Sequence, residues 1–156
     1  MLLKSSGMIE LNSKTRQDFL DRKWVQKLLD AGVDMRDAKY FIFEYEGKDY
    51  VGVYSQELFN EKAYIPICPT YSTSELLYKL HEWIYPVIEG VQYSGGFHLI
   101  KDAPFYIAYY NLRNPLGKEI DDYIHAECEY PIESLASLLI QCHKEGIGSV
   151  NNISDK

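Results

Sequence analysis

Amphipathic segments with strong helix caps, each set beside strand-like segments, most constrain what this chain can fold into. One opens with Ser72 and Glu75, whose spacing lets each side chain satisfy a backbone N–H at a helix start. Pro86 should end this helix. Its apolar stripe comprises Leu76, Leu77, Leu80, Trp83 and Ile84.

Two further helices flank the strand-like segments. The last has Pro131 in its first turn and Gly146 beyond its end, where both residues favour helix boundaries. Its stripe comprises Ile132, Leu135, Ala136, Leu139 and Cys142. An N-terminal helix should run from Thr15 to Ala31, followed by Gly32 as its C′ residue and Val33 as the hydrophobic contact beyond it. Its stripe comprises Leu20, Trp24, Val25, Leu28 and Leu29.

The segments between the helices have the composition of strands joined by tight turns. Aromatic and β-branched residues, alternation and turn residues predict these strands. They are Tyr40–Tyr45 and Tyr50–Tyr54 around a turn at 46–49, Ala63–Ile67, Phe97–Lys101 and Phe105–Leu112 around a turn at 102–104, and Tyr123–Tyr130. Pro66 and Pro69 should stop the third of these, because proline cannot donate in a sheet ladder. Gly90, Gly95 and Gly96 indicate a loop.

Tight turns favour antiparallel pairing, so the predicted fold class is α+β. We expect one mostly antiparallel β-sheet with about three α-helices packed on one face. Residues 13–146 should form a single domain, residues 1–12 a flexible N-terminus and residues 147–156 a disordered tail.

The formal net charge of −7 lies entirely in the second part of the chain. Residues 1–50 carry nine basic and nine acidic side chains, whereas residues 51–156 carry seven and fourteen. This excess disfavours direct binding of nucleic acid or of an anionic membrane, because both depend on Lys and Arg. An acidic, solvated surface is the simpler interpretation, and a face that competes for a protein's nucleic-acid groove is the alternative.

Cys68, Cys128 and Cys142 are odd in number, far apart and without a C-x-x-C pair, which disfavours a disulfide framework or a zinc site. Each has apolar neighbours, where a free thiol behaves as a small core residue. The residues that follow Met1 lack the apolar core of a signal peptide, and no stretch has the length of a membrane span. We therefore expect a cytoplasmic protein.

His125 and Glu127 are the best chemical candidates, because zinc deaminases contain such an H-x-E. That chemistry also needs two thiolates from a P-C-x-x-C, which the chain lacks. The acids near Asp121 and Asp122 have no calcium-loop spacing. We therefore predict no catalytic residue, no metal site and no cofactor.

The tyrosines are the remaining signal, because tyrosine is common both in half-buried sheets and in binding hot spots. If Ile107 and Tyr109 faced the helices, Tyr106 and Tyr110 would face outward. Tyr106, Tyr109 and Tyr110 are thus the candidate partner-binding residues.

Two segments resemble a group of small uncharacterised proteins encoded by phages and integrated mobile elements. They are Ile65–Trp83, with its Pro-Thr entry and Leu-Leu helix, and Pro131–Gly146. Leu28–Val33 extends the similarity. The resemblance implies an α+β fold and a mobile-element setting, and it implies no catalytic residue.

The leading hypothesis is a non-enzymatic acidic accessory protein that binds another macromolecule, a protein before any other. One alternative is a small-ligand-binding domain or a hydrolase that uses His125 and Glu127, with Asp121 or Asp122 brought to them by the fold. Another is a structural oligomer formed by pairing of an exposed edge strand.

Overall fold

The computed structural model describes residues 7–53 and 63–146, with the backbone alone at 120–123. The described residues contain three α-helices and mostly antiparallel strands, which confirms the α+β class. Where one sheet was expected, the strands form two four-stranded sheets and a separate hairpin. The chain divides into two compact units, residues 1–75 and 76–156. None of the described helices combines the length and apolar character needed to cross a lipid bilayer.

The first unit holds one antiparallel sheet with the strand order β1-β3-β2-β4. A single 3-10 turn, Thr15–Gln17, and one helix precede the central strands. In chain order the elements are β1 (Ile9–Glu10), α1 (Arg22–Asp30), β2 (Tyr40–Tyr45), β3 (Lys48–Val53) and β4 (Ile65–Thr70).

Part of the segment expected to be flexible is in the sheet. Ile9 pairs with Val51 and Glu10 with Tyr50, while Met8 is buried. Met8, which lies in the residue 1–12 segment expected to be flexible, joins an aromatic core cluster with Phe43. Residues 1–6 and the predicted tail lie outside the described residues.

The N-terminal helix is shorter than its apolar stripe predicts. Phe19 forms a β-bridge with Ser72, and the Leu20 N–H donates to the Tyr71 carbonyl at 3.1 Å. The Asp21 side chain then caps α1 by accepting the Trp24 N–H. The expected helix is thus broken before Arg22, because the backbone around Leu20 pairs with another segment.

The end of α1 follows the prediction. Gly32 has a φ of 89° and donates to the Leu29 carbonyl, while Val33 donates to that of Leu28. These two bonds form a Schellman motif, which satisfies carbonyls left unpaired at a helix end.

Two tight features shape the first sheet. The β2–β3 turn consists of Glu46 and Gly47, both with positive φ, as a type I′ hairpin requires.

Strand β4 continues through Pro66 and Pro69, contrary to the expectation that they stop it. They pair with Phe43 and Phe41, and a register shift between them absorbs the extra residue. Both prolines thus hold equivalent positions on an edge strand, where a missing N–H is tolerated.

Arg22 connects α1 to the β2–β3 hairpin. Its guanidinium donates to Asp49 through Nε at 2.7 Å and to Glu44 through Nη2 at 2.7 Å. The hydrogen bonds that Arg22 donates, first to Asp49 and then to Glu44, raise the pKa of Arg22. This contact places α1 over the face that carries Glu44 and Asp49. The opposite face carries a cluster of aromatic rings, among them Tyr45, Tyr50 and Tyr64.

Helix α2 (Thr73–Lys79) begins as predicted and ends early. The Ser72 N–H donates to Glu75, and the Glu75 N–H donates to the Ser72 hydroxyl, which completes the expected capping box. Trp83 and Ile84, which were expected on this helix, form strand β5 and pair with Gly96 and Gly95. The prediction is wrong there because pairing with a neighbouring strand replaces the last helical turn.

The second unit holds the second sheet, with the strand order β10-β9-β8-β5. Gly95 and Gly96 lie inside β8 instead of in a loop, and Gly90 lies in the turn of the separate hairpin. In chain order the elements are β5 (Trp83–Ile84), β6 (Val87–Ile88), β7 (Val91–Gln92), β8 (Ser94–Asp102), β9 (Phe105–Arg113), β10 (Glu119–Cys128) and α3 (Pro131–Lys144).

Helix α3 packs on β9 and β10 and follows the sequence pattern closely. Pro131 lies at its first position, and Gly146 follows its end with a φ of 78°. Four of the five predicted stripe residues are buried, and Leu138 is more buried than Leu139.

We predict that Ser72→Ala lowers the free energy of unfolding by about 1 kcal/mol, because the Glu75 N–H loses its cap. Chemical denaturation gives the value. Ser74→Ala is the matched control, since Ser74 is exposed on the same helix. Equal losses in the two variants would contradict a role for the capping box.

Candidate functional site

The second sheet has one face covered by α3 and one open face. Side chains alternate along each strand, so one residue in two points to each face. The covered face includes Ala108, Tyr110 and Leu112 of β9 and Ile124 and Ala126 of β10, all buried. A helix therefore dictates which residues of β9 remain accessible.

The residues of opposite parity form a contiguous surface, called here the open face. It is largely aromatic and aliphatic. Its members are Trp83, His98, Ile100, Phe105, Ile107, Tyr109, His125 and Glu127. Trp83 is 55% exposed, Ile100 45% and Phe105 40%, so apolar surface is accessible across three strands. Exposed apolar side chains that adjoin one another are typical of interaction sites.

Two cross-strand rows form the centre of the open face. His98, Tyr109 and His125 lie side by side on β8, β9 and β10. The His98 ring stacks on Tyr109 with centroids 4.9 Å apart and planes 14° apart. The adjacent row contains Ile100 and Ile107. These rows give the face an aromatic and aliphatic centre.

Two glycines let β5 approach β8 closely. The Trp83 ring lies over Gly96, where a Cβ atom would be 3.5 Å from the ring. A Cβ atom on Gly95 would lie 2.5 Å from Leu112 and 3.2 Å from the Asn111 carbonyl oxygen. Gly95 therefore permits packing on the covered face, and Gly96 lets the indole lie against the strand.

The charged groups around the open face are mostly acidic. Arg113 binds Glu119 at 3.1 Å, which neutralises this basic group. Glu127 lies in the second row and Asp102 at the end of β8, both exposed. The face thus combines an apolar centre with a negative border.

The structure reverses the expected orientation of the candidate tyrosines. Tyr110 is 3% exposed, and its hydroxyl donates to the His81 carbonyl at 2.6 Å. Burial raises the pKa of Tyr110. Tyr106 has the parity of Tyr110, whereas Tyr109 belongs to the open face. The reason is that small Ala108 and the Tyr110 ring fill the space under α3.

His125 and Glu127 share the open face, as the alternation predicted. Tyr109 on β9 lies between His125 on β10 and His98 on β8. Among residues 7–53 and 63–146 no three His, Cys, Asp or Glu side chains are grouped as metal ligands. The side chains of Asp121 and Asp122, which the hydrolase alternative would add, lie outside the described residues.

A separate cleft of about 550 Å³ lies in the first unit. Its walls are mainly apolar and include Leu29, Val33, Met35, Ala38, Phe41 and Pro69. Asp34 and Arg36 also line it, but they bind each other at 2.7 Å. The cleft therefore presents apolar walls and an internally compensated ion pair.

The cysteines behave as packing residues. Cys142 is buried, and Cys68 and Cys128 are partly buried, all as free thiols. Burial raises the pKa of Cys142 to about 12 and that of Cys68 to about 11. Both thiols therefore remain protonated and poorly nucleophilic at neutral pH.

No protein-family model, curated protein or solved structure matches this chain. The resemblance to mobile-element proteins therefore stays a prediction.

We predict that Tyr110→Phe lowers the free energy of unfolding by about 1–2 kcal/mol, because the buried His81 carbonyl loses its donor. Tyr109→Phe is the matched control and should change it by less than about 0.5 kcal/mol, as expected for an accessible site. Urea denaturation of both variants measures the difference. A larger loss for Tyr109→Phe would contradict the assignment of faces.

Proposed function

We propose that this chain is a non-enzymatic accessory protein whose open face binds a basic, apolar segment of another protein. The observation that carries the proposal is the exposed aromatic and aliphatic surface of the open face, which includes Trp83, Ile100 and Phe105. Tryptophan and tyrosine supply large contact areas at low conformational entropy cost, which makes them frequent binding hot spots.

Charge supports a basic partner. The net charge of −7 comes from residues 51–156, which include the whole open face. Glu127 and Asp102 border the apolar centre, and Arg113 is already paired with Glu119. A segment with Lys or Arg beside aliphatic side chains would complement both features. Nucleic acid is disfavoured because its phosphates would meet this acidic border.

The cytoplasmic and mobile-element settings expected from the sequence belong to the same proposal. An accessory protein of this kind would act on a host or element protein by occupying its basic surface. The same charge argument supports the alternative in which that basic surface is the groove by which the partner protein binds nucleic acid.

A second candidate function is binding of a small apolar ligand in the cleft of the first unit. Its apolar walls and its volume of about 550 Å³ favour this function. Such a ligand would contact Phe41 and Met35, and not His125 and Glu127 of the open face. Mutations can therefore distinguish binding in the cleft from binding at the open face. The hydrolase alternative would instead need His125 and Glu127 for turnover.

The test is selection of random-sequence peptides displayed on ribosomes against the immobilised full chain. We expect enriched peptides to combine Lys or Arg with aliphatic residues and to bind more weakly as salt rises. Trp83→Ala should weaken their binding at least about tenfold, or about 1.4 kcal/mol, since it removes a large exposed aromatic side chain of the open face.

Tyr78→Ala is the matched control, because Tyr78 is 89% exposed and lies on α2, which is not a strand of the second sheet. It should leave the affinity unchanged. Enrichment of acidic peptides, or equal losses in the two variants, would overturn the proposal. Peptides that lose affinity with Phe41→Ala alone would favour the cleft.

A further inference from the structure

One edge of the second sheet is only partly covered. The short strand β5 pairs with Gly95 and Gly96 at the start of β8, and the described residues add no partner strand beyond them. The chain before β5 turns toward the covered face, where the His81 carbonyl accepts the Tyr110 hydroxyl. The edge from His98 to Asp102 is therefore accessible.

The hydrogen-bond pattern shows which groups point outward. The Phe97 N–H donates to the Glu82 carbonyl at 2.8 Å, on the side away from β9. Backbone groups alternate in direction along a strand, so those of Leu99 and Lys101 point the same way. Leu99 is 37% exposed and Ile100 45%, which leaves two donors and two acceptors on an apolar edge.

The opposite edge of the sheet is better protected. In β10 the His125 carbonyl accepts the side-chain amide of Gln141 from α3. The pairing of β10 also shifts register between Ile120 and Ile124. A side-chain cap and a bulge both hinder addition of a strand. Strand addition is thus favoured at β8.

We propose that two copies of this chain pair antiparallel through β8, about a twofold axis at Ile100. Leu99 of each copy then faces Lys101 of the other, and all four outward backbone groups of each chain form hydrogen bonds. Ile100 meets its own symmetry mate at a non-hydrogen-bonded pair, where side chains are closest. No other occupant is needed to satisfy this edge.

A polar contact selects this register. When Ile100 lies on the axis, His98 of one copy faces Asp102 of the other, twice in the dimer. An imidazole N–H can donate to a carboxylate oxygen in such a directly opposed pair, whereas two like charges there would destabilise it. The twofold axis is perpendicular to the sheet, so both open faces lie on the same side of an eight-stranded sheet. The pairing itself is independent of the function proposed above.

The test is sedimentation velocity of the full chain over a wide concentration range. We expect a reversible monomer–dimer equilibrium. H98D sets two carboxylates against each other, and D102K removes the carboxylate that accepts the His98 N–H, so each should weaken the dimer roughly tenfold. H98D/D102K places opposite charges in the same register and should recover dimerisation.

Leu99→Pro tests the backbone contribution. It removes an outward N–H without removing a bond to β9, so the protein should keep its far-UV circular dichroism and become monomeric. Leu99→Ala is its control and should still dimerise. A wild-type chain that stays monomeric at all concentrations, or a double variant no better than the singles, would overturn the proposal even if Leu99→Pro failed to fold.

Discussion

The alternation of side chains along β9 is the constraint on which the second unit depends. Helix α3 packs on β9 and β10, and Ala108, Tyr110 and Leu112 are buried on one parity of β9. Because a strand has only two faces, Ile107 and Tyr109 must then lie on the other. The open face is thus a direct consequence of how the covered face is packed, and its residues cannot be exchanged for those beneath α3 without a shift in register.

Local sequence patterns predicted the helices and strands well where a single short-range interaction determines the boundary of the element. Ser72 and Glu75, Gly32 and Pro131 act within a few residues, and the structure confirms the helix boundary each one predicts. Strand β2 and the alternation around Ile124 follow in the same way. These signals are local because capping and turn geometry depend on neighbouring backbone groups.

The errors share a different origin. Leu20 and Trp83 continue the apolar stripes of two predicted helices. In the structure Leu20 instead pairs with Tyr71, and Trp83 pairs with Gly96. These long-range backbone contacts replace the helical conformation. The faces of the tyrosines could not be predicted either, since both parities of β9 carry an aromatic side chain. Most of the open face was missed for this reason. The one available signal was the Gly95-Gly96 pair, which allows a close approach instead of marking a loop.

The prolines of β4 have a consequence for the behaviour of the first sheet among many copies of itself. Pro66 and Pro69 lie at equivalent positions of its edge strand β4. Neither residue has a backbone N–H that could donate to an added strand. The other outer strand, β1, is only two residues long. Amyloid growth requires an uninterrupted row of backbone donors and acceptors that templates the next chain. Both edges of the first sheet therefore oppose the addition of further strands. We expect that crowding of many copies during synthesis does not convert this sheet into a fibril seed.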